Sequence, residues 1–231
     1  MKKKIILIIV ALLLILGGAI AYFFITDMKQ EEVLMQEVNK IAELDLSVDD
    51  VDMEIKTNGN YAIVEKTIKD YINEYSDITK KTINIMNNEK IEEILSIENY
   101  KKDGPDFIET KKYIENSKKE FNDNIQKLIE LTSEERIKKN IEDAKLDDNY
   151  YVELYNNIML GEEITQDLEN AKVDLIDSKE MLNELYDIQE KVINLLANNK
   201  EKWSIEEDEL QFESDDLLNK YEELIDSLPK E

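Results

Sequence analysis

The stretch YAIVEKTIKDYINEYSDITKKTINI, residues 61–85, decides the fold that the sequence predicts. Its inward-facing positions recur at alternating spacings of three and four residues over three heptads, the a/d pattern of a helix that packs along a partner helix. Aromatic residues at this spacing are typical of a helix core rather than of a ligand-binding ladder. The a/d positions are Tyr61, Val64, Ile68, Tyr71, Tyr75, Ile78, Thr82 and Ile85.

Two further stretches supply partners for this helix. Phe107, Ile114, Phe121 and Leu128 recur every seven residues and predict a second core-facing helix. Residues 162–199 predict the longest helix, which reaches about 55 Å at 1.5 Å per residue. With only five glycines and two prolines, we expect an all-α fold, an elongated antiparallel bundle with coiled-coil-like packing. The flanking positions of the second helix are Ile108, Ile125 and Leu131, and the a/d positions of the longest are Leu168, Ala171, Leu175, Ser178, Leu182, Leu185, Gln189, Val192 and Leu196.

The connections between helices carry their own signals. Val51, Met53 and Ile55 alternate with polar residues and predict a brief strand. Pro105 suits the first turn of the next helix, where its missing N–H costs nothing. The pattern from Thr132 to Glu135 predicts a capping box.

Toward the C-terminus, apolar residues alternate on both sides of a polar turn at residues 206–209, which predicts a small β-hairpin at residues 203–212. Trp203 and Phe212 of this hairpin are expected to cover one end of the bundle. Asp147 or Asp148 is expected to cap an earlier helix, and Ser214 or Asp215 the last one.

The N-terminus predicts a membrane anchor. An unbroken apolar run of residues 5–25 follows a lysine cluster, and a helix over it spans roughly 30 Å, the thickness of a bilayer's hydrocarbon core. The positive-inside rule places the N-terminus in the cytoplasm, and aromatic rings at the outer end favour the interface. The anchor residues are Lys2, Lys3, Lys4, Ile5, Tyr22, Phe23, Phe24 and Ile25.

The predicted organisation is a cytoplasmic tail at residues 1–4, a transmembrane anchor at 5–26, a stalk helix and linker at 27–60, and an extracytoplasmic helical bundle at 61–231. The alternative is a cleaved secretory signal, because Ala19-Ile20-Ala21 fits the pattern that precedes a cleavage site. Lysine greatly outnumbers arginine, of which Arg136 is the single example, and this composition indicates an AT-rich bacterial genome.

The net charge restricts the classes of molecule that this protein is expected to bind. Outside the anchor stand 26 basic and 54 acidic residues, a net charge of −28. Such a field repels nucleic acid and anionic lipid headgroups and attracts basic proteins and cations. The alternative interpretation is that the acidic surface serves only to keep the domain soluble. We therefore expect no nucleic-acid partner, and the bilayer contact is predicted to lie at residues 5–25.

The chain offers little conventional chemistry. Without histidine or cysteine, it has no serine or cysteine triad, no thiol chemistry and no common zinc site. A carboxylate pair remains available for hydrolysis, but acidic residues are too frequent for any pair to be informative. The acidic clusters at residues 49–52, 147–149 and 215–216 lack an EF-hand pattern, and two of them stand where helix caps are needed. We assign no catalytic, cofactor-binding or metal-binding residue.

These observations predict a single-pass membrane protein with an extracytoplasmic helical domain that acts as a non-enzymatic interaction or scaffolding module through its helical faces, in a hetero-complex or a homo-oligomer. Such a module is expected to leave an apolar stripe exposed, for example on the stalk helix from Val33 to Leu44. The arrangement resembles many bacterial envelope proteins, including the helical sensor domains of chemoreceptors and histidine kinases, although the resemblance is only architectural. One alternative is a ligand-sensing domain with a polar cavity near Tyr150, Tyr151 and Tyr155. Another is a carboxylate-based enzyme that acts on envelope polymers.

Overall fold

The structure, a computed structural model, describes residues 29–229, which form helices and one two-stranded sheet. The predicted mainly helical fold is confirmed, as is the hairpin, in which Trp203 pairs with Phe212 in an antiparallel register. In chain order the elements are α1 (Lys29–Ala42), α2 (Asn60–Met86), α3 (Lys90–Glu93), α4 (Ile97–Asp103), α5 (Ile108–Leu131), α6 (Glu134–Asp143), α7 (Asn149–Met159), α8 (Glu162–Asn198), β1 (Trp203–Glu206), β2 (Glu209–Phe212) and α9 (Asp215–Asp226).

The described chain divides into two compact units. The N-terminal unit comprises residues 29–83 and 124–176, and the C-terminal unit comprises residues 84–123 and 177–229. Helices α2, α5 and α8 contribute residues to both units. Each unit therefore draws its core from segments that are distant in sequence.

The predicted core of α2 is confirmed. Its a/d positions from Tyr61 to Thr82 are buried, while Ile85 is half-buried and Met86 is fully buried in its place. The seven-residue repeat from Phe107 to Leu128 is also buried throughout. Ile108 was expected to widen that face, but it is 68% exposed. The reason is that α5 begins at Ile108, and Phe107, with φ at 55°, reaches the core from outside the helix.

In α8 the buried seam departs from a strict heptad pattern. The predicted positions from Leu168 to Leu182 are buried, but Leu185 is half-exposed and Tyr186 takes its place in the core. The steps from Ser178 through Leu182 to Tyr186 are both four residues long. Such a step compensates for the drift that accumulates because a straight helix has 3.6 rather than 3.5 residues per turn.

Two predicted helix starts are displaced. Helix α4 ends at Asp103 and α5 starts only at Ile108, so Pro105 lies before the helix and not in its first turn. The capping residue of α6 is Ser133, whose hydroxyl accepts a hydrogen bond from the Arg136 N–H at 3.2 Å. Thr132 stands one residue before the cap position, and its hydroxyl donates to the Ile129 carbonyl at 2.9 Å. Asp148 caps α7 and Ser214 caps α9, both at positions that the sequence predicted.

In the C-terminal unit, the hairpin packs on an aromatic cluster. The Trp203 ring stacks on Phe107 at a centroid distance of 6.1 Å, and its indole N–H donates to the Leu196 carbonyl at 2.9 Å. The hairpin turns at Glu207 and Asp208, which both have positive φ. Gly104 lies against the same cluster, because a Cβ at that position would stand 3.2 Å from ring atoms of both Phe107 and Trp203. It would also stand 2.4 Å from the Tyr100 carbonyl oxygen, so no larger residue fits there.

The predicted tail and anchor, with Lys2, Lys3, Lys4, Ile5, Tyr22, Phe23, Phe24 and Ile25, lie outside the described residues. Between residues 29 and 229, no helix has the length and apolar character needed to cross a membrane. The helix predicted as a stalk is α1, and its apolar residues Leu34, Val38 and Ile41 are buried. An exposed apolar stripe on this helix was expected for a docking face, and the burial of these three side chains excludes it.

Candidate interaction groove

A buried network of charges connects α1 to α2 in the N-terminal unit. The Lys69 ammonium is 1% exposed and donates to the Glu37 carboxylate at 2.9 Å, to the Glu54 carbonyl at 2.6 Å and, in an ion pair of 2.7 Å, to the Glu65 carboxylate. All three of its hydrogens therefore have acceptors. Glu37 lies on α1, whereas Glu65 stands one turn before Lys69 on α2. We call Glu37, Glu65 and Lys69 the clasp.

The clasp holds the irregular segment before α2 in place. The Glu65 carboxylate accepts hydrogen bonds from the Lys56 N–H at 3.0 Å and from both the N–H and the hydroxyl of Thr57, at 2.9 and 2.8 Å. The brief strand predicted at Val51–Ile55 is wrong, since the structure has no strand in residues 51–57. The backbone groups at the end of this segment are bonded to side chains of α2 instead.

Hydrogen bonding keeps the clasp ionised despite its burial. Burial, the largest effect on Glu65, acts to raise its pKa, but the hydrogen bonds from Lys69, Thr57 and Lys56 outweigh it and lower the pKa. The pKa of Glu37 is lowered in the same way, with burial opposed by Lys40 and Lys69. For Lys69, burial acts to lower the pKa, and the two glutamates reverse this and raise it.

Beside this segment, an open groove of about 610 Å³ runs between α2 and α6. Apart from Ile63, its apolar residues are buried or half-buried, whereas its charged residues, apart from Arg136, are exposed. We call the apolar set the base of the groove and the charged set its rim. Ile63 is 36% exposed and hence reachable from solvent. Ile55 belongs to the segment that the clasp holds, so the clasp fixes one wall of the groove. The lining residues are Ile55, Ala62, Ile63, Lys66, Thr67, Asp70, Tyr71, Glu74, Arg136, Asn140, Asp143 and Ala144.

Ion pairs already occupy the rim. Arg136, the only arginine of the chain, binds Glu74 across the groove at 3.1 Å, and its side chain also contacts Asn140. Lys66 is paired with Asp70 on the adjacent turn of α2. Because these four charges are paired with one another, they do not form a strong binding site for a small anion or a small cation.

The three tyrosines considered for a ligand cavity do not converge on one cavity. Tyr150 and Tyr151 make an edge-to-face contact at 5.2 Å, Tyr155 has different neighbours, and none of the three lines the groove. Tyr155 is fully buried, its hydroxyl donates to the Ile137 carbonyl at 3.2 Å, and burial raises its pKa to about 12. Tyr150 lies on the surface and donates to Glu31 at 2.6 Å. Tyr151 makes an edge-to-face contact with Tyr61 at 4.9 Å.

The acidic clusters have structural partners. Asp50 binds Lys80 at 2.6 Å, Asp52 accepts the Glu54 N–H at 3.0 Å, and Asp148 caps α7. Within residues 29–229, no three acidic side chains converge in a way that could hold a metal ion.

The groove carries no reactive constellation comparable to that of a glycosidase. Such an enzyme needs two close carboxyl groups, one of them with a raised pKa. In the groove, Asp70 and Glu74 are each bonded to a cation. The buried carboxyl groups with shifted pKa values, Glu37 and Glu65, are both shifted downward and are enclosed by hydrogen-bond donors.

Sequence reasoning missed the clasp and the groove. The one available signal was that Glu65 and Lys69 form an i,i+4 pair directly beside the a/d residues Val64 and Ile68. Comparisons of the chain with protein families, curated proteins and solved structures find no match.

Proposed function

We propose that this protein is a single-pass membrane protein whose extracytoplasmic helical domain acts as a non-enzymatic interaction module of the bacterial cell envelope. The groove between α2 and α6 is the proposed docking surface. The observation that carries the proposal is the groove itself, an accessible apolar surface with one wall fixed by the clasp. Surface cavities that combine an apolar base with a polar rim are typical of sites that bind another protein.

The anchor rests on the sequence of residues 1–26, with three lysines ahead of an apolar run long enough to span a bilayer. The net charge of −28 on the rest of the chain suits a domain that stays soluble beside the membrane and attracts basic partners. Together with the groove, these features support attachment of a protein-binding surface to the cell envelope.

The topology is tested with single cysteines, because the native chain has none. A membrane-impermeant maleimide added to intact cells is expected to label a Lys139→Cys variant and to leave a Lys3→Cys variant unlabelled. The opposite pattern would reject the proposed orientation. Mass spectrometry of the mature protein decides between an anchor and a cleaved signal, since a chain that begins at Tyr22 would exclude the anchor.

The docking surface is tested by crosslinking at defined positions in the membrane-anchored protein. A photoreactive amino acid replaces Ile63 in the groove or, as the control, Lys139, which is exposed on α6 outside the groove. We expect a reproducible partner band from position 63 that disappears when Ala144→Glu fills the groove. Equal crosslinking from both positions, or a band that survives Ala144→Glu, contradicts docking in the groove.

A further inference from the structure

The spacing of the groove residues matches a slot for one helix. On α2 they stand at 62–63, 66–67, 70–71 and 74, and on α6 at 136, 140 and 143–144, so that each helix contributes one stripe with steps of three or four residues. Two helices that each present one such stripe can accept the ridge of a third helix between them. The α2 stripe covers twelve steps, about 18 Å, which corresponds to roughly three turns of a bound helix.

The two ends of the slot differ in charge. At the end where α6 starts, the Arg136–Glu74 ion pair neutralises both partners. At the other end, residues 142–148 carry four acidic residues and one lysine, a net charge of −3, and the acidic residues among them are exposed. These residues include Asp143, which lines the groove, and they follow it into the connection to α7. A helix in the slot therefore meets apolar side chains interspersed with polar ones, and negative charge at one end.

We propose that the groove binds an amphipathic helix of a partner protein, about three turns long, with an apolar face and lysine or arginine residues at the end that meets residues 142–148. This inference rests on the proposed function and specifies the chemistry of the partner. The charge of −28 outside the anchor favours a basic partner over a second copy of this chain, because two copies repel each other. The apolar base supplies affinity, and the acidic end selects the basic partner and fixes its direction.

The test uses designed peptides and the full-length protein in nanodiscs of phosphatidylcholine, a zwitterionic lipid with no net charge. A rhodamine-labelled helical peptide carries leucines along one face and lysines near one end. A matched peptide has glutamates in place of the lysines, and a scrambled peptide has the lysine composition without the apolar face. Fluorescence anisotropy at physiological ionic strength is expected to show binding of the helical lysine peptide at least tenfold tighter than of either control. The scrambled peptide measures the nonspecific attraction of any polycation to the acidic protein.

Variants locate the binding site. Ile63→Asp places a charge on the base of the groove and is expected to weaken binding of the lysine peptide at least tenfold. Val173→Asp is the matched control, since Val173 is an apolar residue of the N-terminal unit that is 56% exposed and lies outside the groove. It is expected to change affinity less than twofold. Asp143→Asn combined with Asp147→Asn is expected to weaken binding of the lysine peptide and not of the glutamate peptide. Circular dichroism verifies that each variant is folded.

The outcomes separate this inference from the proposed function. Equal binding of the helical and scrambled lysine peptides, preference for the glutamate peptide, or equal effects of Ile63→Asp and Val173→Asp would overturn the inference. If position 63 still crosslinks a partner in cells while the peptide series fails, the docking function stands and the assigned chemistry is wrong. If the crosslinked band is the protein itself, the occupant is a second copy. If both experiments fail, the groove is not a docking surface.

Discussion

Lys69→Met is the most direct test of the clasp. Methionine keeps the length of the side chain but removes the ammonium that binds Glu37 at 2.9 Å, Glu65 at 2.7 Å and the Glu54 carbonyl at 2.6 Å. The two carboxylates then remain buried, since their side chains are 5% and 1% exposed. Glu37 keeps its contact with Lys40, and Glu65 keeps its hydrogen bonds from residues 56 and 57.

Removal of one partner from a buried ion network typically costs about 3–5 kcal/mol, because the remaining charge is left uncompensated in a poorly solvated site. Since the remaining contacts still support both glutamates, we expect the lower half of that range, about 3–4 kcal/mol. For a domain of this size, 1 kcal/mol corresponds to a change in melting temperature of about 2–4 °C, so the variant is expected to melt roughly 6–16 °C lower.

The assay is urea denaturation of the full-length protein in mild detergent, followed by circular dichroism at 222 nm. Hydrogen exchange measured on peptides from α1 and residues 51–57 shows whether the loss is centred on the clasp. The control is Lys66→Met, a lysine on the same helix that is paired with Asp70 at the surface and is expected to cost less than about 1 kcal/mol. If Lys69→Met costs no more than Lys66→Met, the clasp does not hold the N-terminal unit together.

Three further results are expected. Asn and Gly suit the positive φ of Glu207 and Asp208, but Asp208→Gly would also remove the ion pair with Lys101. Glu207→Asn alone leaves that pair in place and should stabilise the hairpin by about 0.5–1 kcal/mol, measured by Trp203 fluorescence in urea. The clasp carboxyls have lowered pKa values, hence their stabilisation is present above the ordinary value of 4.5 and is lost as pH falls through the folded values. The stability difference between the native protein and Lys69→Met, measured by urea denaturation at successive pH values, should therefore shrink in acid. Ser133→Ala removes the cap of α6 and should cost about 1 kcal/mol, seen as faster hydrogen exchange in α6.

The helices and the hairpin were predictable because their signals are local. The core of α2 follows from apolar spacing alone, and the hairpin follows from alternation around a polar turn. The exposure of Ile108 and the burial of Tyr186 in place of Leu185 were missed, because each depends on a helix start or a change of register that the spacing does not encode. Local patterns identify the helices and strands, whereas the residues that each helix buries also depend on what packs against it.

The groove and the clasp depend on contacts that are distant in sequence. Glu37 is 32 residues from Lys69, and no local rule associates them. Ile63 lies outside the a/d positions of α2, so the sequence indicates only an ordinary exposed residue. Its place in the groove follows from the position of α6, which the sequence pattern does not give. The sequence therefore predicted helical faces as docking surfaces in general, and placed the exposed stripe on α1, whose apolar residues are in fact buried.

The irregular backbone at residues 54–57 gives a reason for the three buried charges of the clasp. Apolar side chains of similar volume would fill the same space, often at no cost in stability. However, they would leave the N–H groups of Lys56 and Thr57 and the carbonyl of Glu54 without partners, because no neighbouring strand satisfies them. The segment that needs these partners is also the one that brings Ile55 to the groove. The buried charges are thus required where the wall of the groove is built from backbone that is neither helix nor sheet.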